Sequence, residues 1–272
     1  MDHISEQILH VSALPPMPDS IIKIQKISSD PLSSLKDLAA VIHDDPMLTA
    51  DILKLANSPI YALKEHINTL QQAISMFGIS NIVGFAMAYA IEQALSVDLL
   101  PYDITPEDFL KVAQTQNALA FHWLEGLDSN NANILLTSSF LMEMGSLLIA
   151  DYIMKENMVE QFRIALQSDA NLDEIEFNIC GFNHKTISAS MFESWDFDER
   201  IVEAIRQSAI INQSPETSSI SARLAVISMA VNLKEQFTEH SIASAVELAD
   251  KIGLDGNHFK KIVTLVREST EN

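Results

Sequence analysis

Cysteine occurs once in the 272 residues, at Cys180, so no intramolecular disulfide can form. Glycine is almost as scarce. Seven are scattered so widely that neither G-x-G-x-x-G nor P-loop spacing can be assembled, which removes the usual backbone cradles for nucleotide phosphates. Positive charge is short as well: 17 Lys and Arg stand against 37 Asp and Glu, a net charge of −20 that repels nucleic-acid phosphates and anionic lipid. The longest uninterrupted apolar run, Ile82–Ile91, falls far short of the roughly 20 residues that cross a bilayer. The start of the chain carries neither a basic segment leading into an apolar one nor a small-residue cleavage site. These absences predict a protein of a reducing, cytoplasmic compartment, with neither nucleic acid nor membrane among its partners.

What is present favours helix. The chain is 47% hydrophobic, enough for a large core, and rich in Ala, Leu, Met, Gln and Glu, which lose little side-chain freedom in a helix. The fold class expected is all-α. Leu14-Pro15-Pro16-Met17-Pro18 separates a leading helix (1–13) from the rest, because three prolines hold extended backbone. Ser34 with Asp37 and Thr69 with Gln72 match capping boxes. Asp45-Pro46 reads as an N-cap followed by proline at the first helical position, opening a helix that stops at Asn57-Ser58-Pro59. A long helix is expected over 79–97, with Gly84 permitting close packing, and Thr105-Pro106-Glu107-Asp108 introduces another over 109–124. Further helices are expected over 132–156, 158–168, 183–194, 198–211, 217–236, 239–252 and 255–268. The break at Leu99-Leu100-Pro101-Tyr102 divides helical lobes at 14–104 and 105–215, and a C-terminal helical extension, 216–272, is expected to pack on the second lobe.

Residues able to do chemistry are few. No two of the eight histidines stand three, four or five apart, so a local zinc motif such as H-E-x-x-H is absent. Cys180 and His184 would form a nucleophilic dyad only if one helix ran through Gly181. The paired acids Asp44-Asp45 and Glu174-Glu176 fall beside helix starts, where capping is the stronger account of both. Met142, Met144 and Met154 read as core filler rather than a soft-metal site.

Three further stretches follow Leu14-Pro15-Pro16-Met17-Pro18 in fixed order: Asp45-Pro46-Met47-Leu48-Thr49, Leu53-Lys54-Leu55-Ala56-Asn57-Ser58 and Gln72-Ala73-Ile74-Ser75-Met76-Phe77-Gly78. Their order and spacing over about 65 residues resemble the HDOD family, the HD-related output domains, with weaker likeness to about residue 210. The resemblance implies an all-helical, HD-like bacterial signalling domain of two packed lobes, related to the HD metal-dependent phosphohydrolases but generally lacking their ligands. On that resemblance, the adjacent His-Asp pair of catalytic relatives falls on Met142 and Glu143 and the following lysine on Ser146. The upstream histidine falls near Val112, and the downstream histidines near Gln207 and Ser208. Glu143 and His184 survive as potential donors, fewer than the three or more protein ligands a catalytic site normally uses. Both are expected to hydrogen-bond in the core, with each other as candidate partners, and no cofactor or metal is expected.

These residues lead to a non-catalytic signalling module, a pseudo-enzyme that acts through a protein partner. Its candidate surface is the region of Asp45, Pro46, Asn57, Ser58 and Tyr61, with Gly78 a further family-motif residue, although Asn57 and Ser58 equally serve to end a helix. Two alternatives stand beside it: an HD-type phosphohydrolase acting on a nucleotide or cyclic dinucleotide, and a small-molecule sensor using the vacated metal pocket. No receiver, diguanylate-cyclase or phosphodiesterase sequence accompanies the module, so the partner is expected in trans.

Overall fold

Capping chemistry sets most of the helix starts. The computed structural model describes Met17 and residues 19–29, 34–210 and 219–271; the expected leading helix, most of the proline-rich stretch and the boundary at 215 lie outside these residues. The first lobe holds α1 (Asp19–Ser29), α2 (Leu35–His43), α3 (Pro46–Ala56), α4 (Leu70–Phe77) and α5 (Ile79–Leu95). The second holds α6 (Pro106–His122), α7 (Ser129–Leu141), α8 (Gly145–Lys155), α9 (Val159–Leu166), α10 (Leu172–Cys180), α11 (His184–Ser194) and α12 (Glu199–Ser208). After them come α13 (Ser219–Ala230), α14 (Glu239–Lys251) and α15 (Gly256–Glu271). Short 3-10 turns occupy Pro59–Tyr61 and Leu100–Tyr102. Among the described residues there is no strand, only one isolated bridge between Val231 and Gln236, so the fold is all-α.

Reciprocal capping boxes form at Ser34 and Asp37, Thr69 and Gln72, and Thr105 and Asp108. The Asp45 carboxylate accepts the Met47 and Leu48 amides at 3.0 Å each, with Pro46 at the first helical position. Gly78 ends α4 at φ +82°, a conformation that strongly favours glycine, and the chain turns by 115° into α5.

Three helical expectations need correction. The helix expected over 132–156 is broken at 142–144, where the Ser146 amide reaches back only three residues, to Glu143 O at 2.9 Å. An additional helix, α10, lies over Leu172–Cys180, capped where Asn171 Oδ1 accepts the Glu174 amide at 2.9 Å. The helix expected over 217–236 stops at Ala230, and Asn232 Oδ1 then takes the Lys234 and Glu235 amides at 2.9 Å each, turning the chain.

One apolar core runs through both lobes. They meet at α5 and α7, where a Cβ added to Gly84 would stand 3.4 Å from Thr137 Cα, so the helices approach through the missing side chain. The C-terminal helices are fastened to α6. The Arg223 guanidinium donates to the Trp123 and Glu125 carbonyls and lies 4.9 Å from the Trp123 ring centre, while Phe259 meets the same ring at 4.6 Å. Helix α15 also packs on the Pro59–Tyr61 turn, so the extension touches the first lobe as well as the second. The Ser129–Lys155 stretch is long and apolar enough to cross a membrane, but 89% of its most apolar window is buried, the composition of a core element.

Candidate functional site

The break between α7 and α8 turns Glu143 into the interior. Its Oε1 accepts Gln116 Nε2 at 2.6 Å, and the same amide also donates to Val231 O at 2.8 Å. Glu143 Oε2 faces His184 Nε2 at 3.5 Å. On the other side of the ring, His184 Nδ1 lies 2.7 Å from Glu176 Oε2, which also accepts the His184 main-chain N–H at 2.7 Å. Glu176 Oε1 accepts the Tyr102 hydroxyl at 2.8 Å. A third carboxylate, Asp173, places Oδ1 3.6 Å from His184 Nδ1 and accepts Lys185 Nζ on Oδ2 at 2.6 Å. Glu143, Glu176 and His184 are fully buried, and Lys185 is nearly so.

Burial by itself would depress the His184 imidazole, but Glu143, Glu176 and Asp173 outweigh it and hold the ring up at about 9. It is therefore an imidazolium at neutral pH. Burial pushes the Glu143 carboxyl above its usual value against the pull of His184. Burial also acts to raise Asp173, and there the Lys185 ammonium and His184 win and hold it below the carboxylate range. Burial, with Glu176 alongside, keeps the Tyr102 hydroxyl protonated and a donor.

Of the residues singled out by sequence, Glu143 and His184 face each other in this cluster. Met142 caps α7 and offers its carbonyl to Ser188 Oγ at 2.7 Å, and Ser146 is buried at the start of α8. Ser208 is buried and lines a small space shared with Asp173 and Lys185. Val112 is a buried apolar residue; Gln116, one turn further along α6, is the residue that reaches Glu143. Cys180 and His184 form no dyad: Gly181, at φ +85°, ends α10 between them, and burial pushes the thiol up to about 12.

One residue of the candidate surface, Tyr61, needs correction. Asp45 caps α3, and Tyr61 is a core residue: its hydroxyl bonds Asn117 Oδ1 at 2.9 Å and its ring meets Phe77 edge-on at 4.8 Å. Asn57 clamps the loop after α3, its amide bonding Leu53 O and Ile67 O at 2.8 Å each while its oxygen takes the Ile67 amide at 2.7 Å. Ser58, with Asn57, lines a cavity of about 1090 Å³. Sequence reasoning missed Asp173, Glu176, Lys185, Tyr102 and Gln116; Glu176, assigned to capping, is instead on the buried stripe of α10 with Leu172 and Ile175.

The sequence profile of the HDOD domain matches residues 14–211. The chain belongs to the HDOD family. An uncharacterized protein of Treponema pallidum (strain Nichols) is 19% identical over 216 residues, and this chain spans 39% of that relative's length while 76% of the chain is matched. Two solved structures show the same fold. One, from Shewanella amazonensis SB2B and provisionally named a phosphohydrolase, is 19% identical with a TM-score of 0.68, covering 99% of this chain and 97% of its own. The other, from Marinobacter aquaeolei VT8 and provisionally named a signal transduction protein, is 20% identical with a TM-score of 0.63, covering 96% of this chain and 58% of its own.

The relation of HDOD domains to HD phosphohydrolases raises a divalent metal as a test of the cluster. Donor atoms of Asp173, Glu176 and His184 do lie within 4.8 Å of one another. Their chemistry nevertheless does not fit an ion. A metal needs an imidazole lone pair, whereas both His184 nitrogens are already turned to carboxylates of the protein, Glu143 at 3.5 Å and Glu176 at 2.7 Å. Both oxygens of Glu176 already accept hydrogen bonds, and one Asp173 oxygen is taken by an ammonium. Among the buried atoms without hydrogen bonds, Glu143 Oε2, His184 Nε2 and Asp173 Oδ1 face opposite charge at 3.5 and 3.6 Å, while Gln116 Oε1 and Ser146 Oγ are left without a partner. The space beside Asp173, Lys185 and Ser208 is about 30 Å³, room for a water or two. In this HDOD chain His184 and Lys185 lie among the three carboxylates.

Proposed function

We propose that this HDOD chain is a non-catalytic regulatory module of a bacterial signalling pathway, working in the cytoplasm through a protein partner. One observation carries the reading: His184 and Lys185 supply positive charge from within the protein to Asp173, Glu176 and Glu143, the last of which stands where the family resemblance puts a metal-binding aspartate. A cluster so neutralised stabilises a fold and leaves no group free to activate water. The small-molecule reading gains nothing from the space beside Asp173, Lys185 and Ser208, which at about 30 Å³ holds no nucleotide.

The phosphohydrolase alternative rests on the approach of Asp173, Glu176 and His184 to one another. Metal analysis of chain purified without chelator, paired with phosphatase and phosphodiesterase assays in Mn²⁺ and Mg²⁺, separates the two. The regulatory reading expects no stoichiometric ion and no turnover. About one ion per chain with metal-dependent turnover would establish the alternative.

A further inference from the structure

A large cavity lies away from the buried cluster. It is a groove of about 1090 Å³ between α3 and α5 of the first lobe and α6 of the second, bounded also by the loop that Asn57 clamps. Ile60 and Leu110 give it apolar surface, and Tyr89 stands half-buried in its wall. Two carboxylates, Asp51 and Glu92, line it and are half-buried. Among the described residues neither makes an ion pair or hydrogen bond through its side chain, in contrast to the buried cluster, where each acid is matched. Burial pushes both carboxyls up; Asp51 adds to the rise at Glu92, while at Asp51 the Lys54 ammonium, one turn away, offsets the rise only in part and Asp45 adds to it. Gln93 and Gln114 also line the groove, and their side-chain amides make no hydrogen bond among the described residues.

Each of these features asks for something different from an occupant. Unmatched acids in a partly desolvated wall favour a cation, and Tyr89 lines the groove beside them. The free glutamine amides carry donor and acceptor together, the pairing that a peptide main chain presents. A volume at the upper limit of small-molecule pockets, open along its length, accommodates an extended segment. We propose that this groove binds an extended peptide of a partner protein that presents a lysine or arginine side chain to Asp51 and Glu92. The exposed lysines Lys54 and Lys111 on its lining disfavour a continuous basic run, so the recognised segment carries a single basic residue with neutral or acidic neighbours. This deepens the reading of the chain as a protein-interaction module and rests on it.

The test uses the full chain. Random dodecapeptides displayed on phage are selected against it, and the enriched sequences are synthesised with a fluorophore for polarisation measurements on wild type, Asp51→Asn, Glu92→Gln and the remote surface control Glu160→Gln. Thermal melts establish that each variant is folded. The proposal expects one Lys or Arg in the enriched peptides and binding weakened about tenfold by either groove substitution but not by the control. Replacing the peptide's basic residue with glutamine should cost little more once both acids are gone. Failure to enrich any peptide, enrichment of peptides without a basic residue, or equal affinity for wild type and groove variants would overturn it. Self-association abolished by the same substitutions would give the groove to a second copy and overturn it too. Any of these results, combined with absent metal and absent turnover, removes the groove while leaving the regulatory reading; metal-dependent turnover removes the regulatory reading itself.

Discussion

His184 Nδ1 lies 2.7 Å from Glu176 Oε2, and both side chains are fully buried. The contact joins the start of α11 to the middle of α10 and, through Tyr102, to the connection between the lobes. Three elements therefore depend on one carboxylate. The cluster sets the His184 ring and the Lys185 ammonium among three carboxylates.

Removing that carboxylate should be costly. Glu176→Ala leaves the His184 ring, the His184 amide and the Tyr102 hydroxyl without their acceptor, and a loss of about 3–5 kcal/mol is expected for one partner of a buried ion pair. Urea unfolding measures it. A loss under about 1 kcal/mol would mean that the pair is not a structural tie.

Stability should also follow pH in a defined way. The ring's ordinary value is 6.5 and the cluster raises it to about 9, so its contribution is full below 6.5 and is lost as pH rises through about 9. Asp173 works at the other end: its value is lowered from 3.8, so its contribution is present above 3.8 and is lost on acidification through the folded value. The urea midpoint should fall on the alkaline side between these two His184 values. In Glu143→Gln the His184 titration should move down, and an unmoved titration would show that the 3.5 Å approach carries no interaction.

Gly145 is where α8 begins against α11. A Cβ there would meet His184 O at 2.2 Å and Ser188 N at 2.6 Å, both backbone atoms, while the Gly145 amide donates to Ser188 Oγ at 2.7 Å. Gly145→Ala should destabilise by about 1–3 kcal/mol or more through overpacking, seen as a lower Tm. An unchanged Tm would mean that the two helices can part without cost.

Asn57→Ala removes three hydrogen bonds that hold the loop from Leu53 to Ile67. The main-chain groups of Ile67 lose their partners, so a loss of about 1–3 kcal/mol is expected in urea unfolding. A neutral result would show that water replaces the clamp.

Much of the fold is legible in the sequence because its signals are short. Ser34 with Asp37, Thr69 with Gln72, and Asp45 with Pro46 act within one helical turn, and each cap forms where those residues stand. The Glu143–His184 approach was readable through the family resemblance. Glu176 was not: an acid near a helix start looks like a capping group, and its partner lies eight residues on, beyond the turn at Gly181. Tyr61 stands two residues after Pro59 and reads as a loop residue, yet its partner Asn117 is 56 residues away. Val112 and Gln116 differ by one turn of α6, and which of them faces the cluster is decided by packing between distant segments.

The central claim is that this cluster holds a proton in place of a metal. Nitrogen chemical shifts of the His184 ring, recorded at pH 7.5 before and after stoichiometric Zn²⁺ and again with Mn²⁺-treated, chelated protein as reference, test it directly. The account predicts an imidazolium, protonated on both nitrogens and unchanged by the metal. A neutral ring with one nitrogen shifted to a metal-bound position would contradict it.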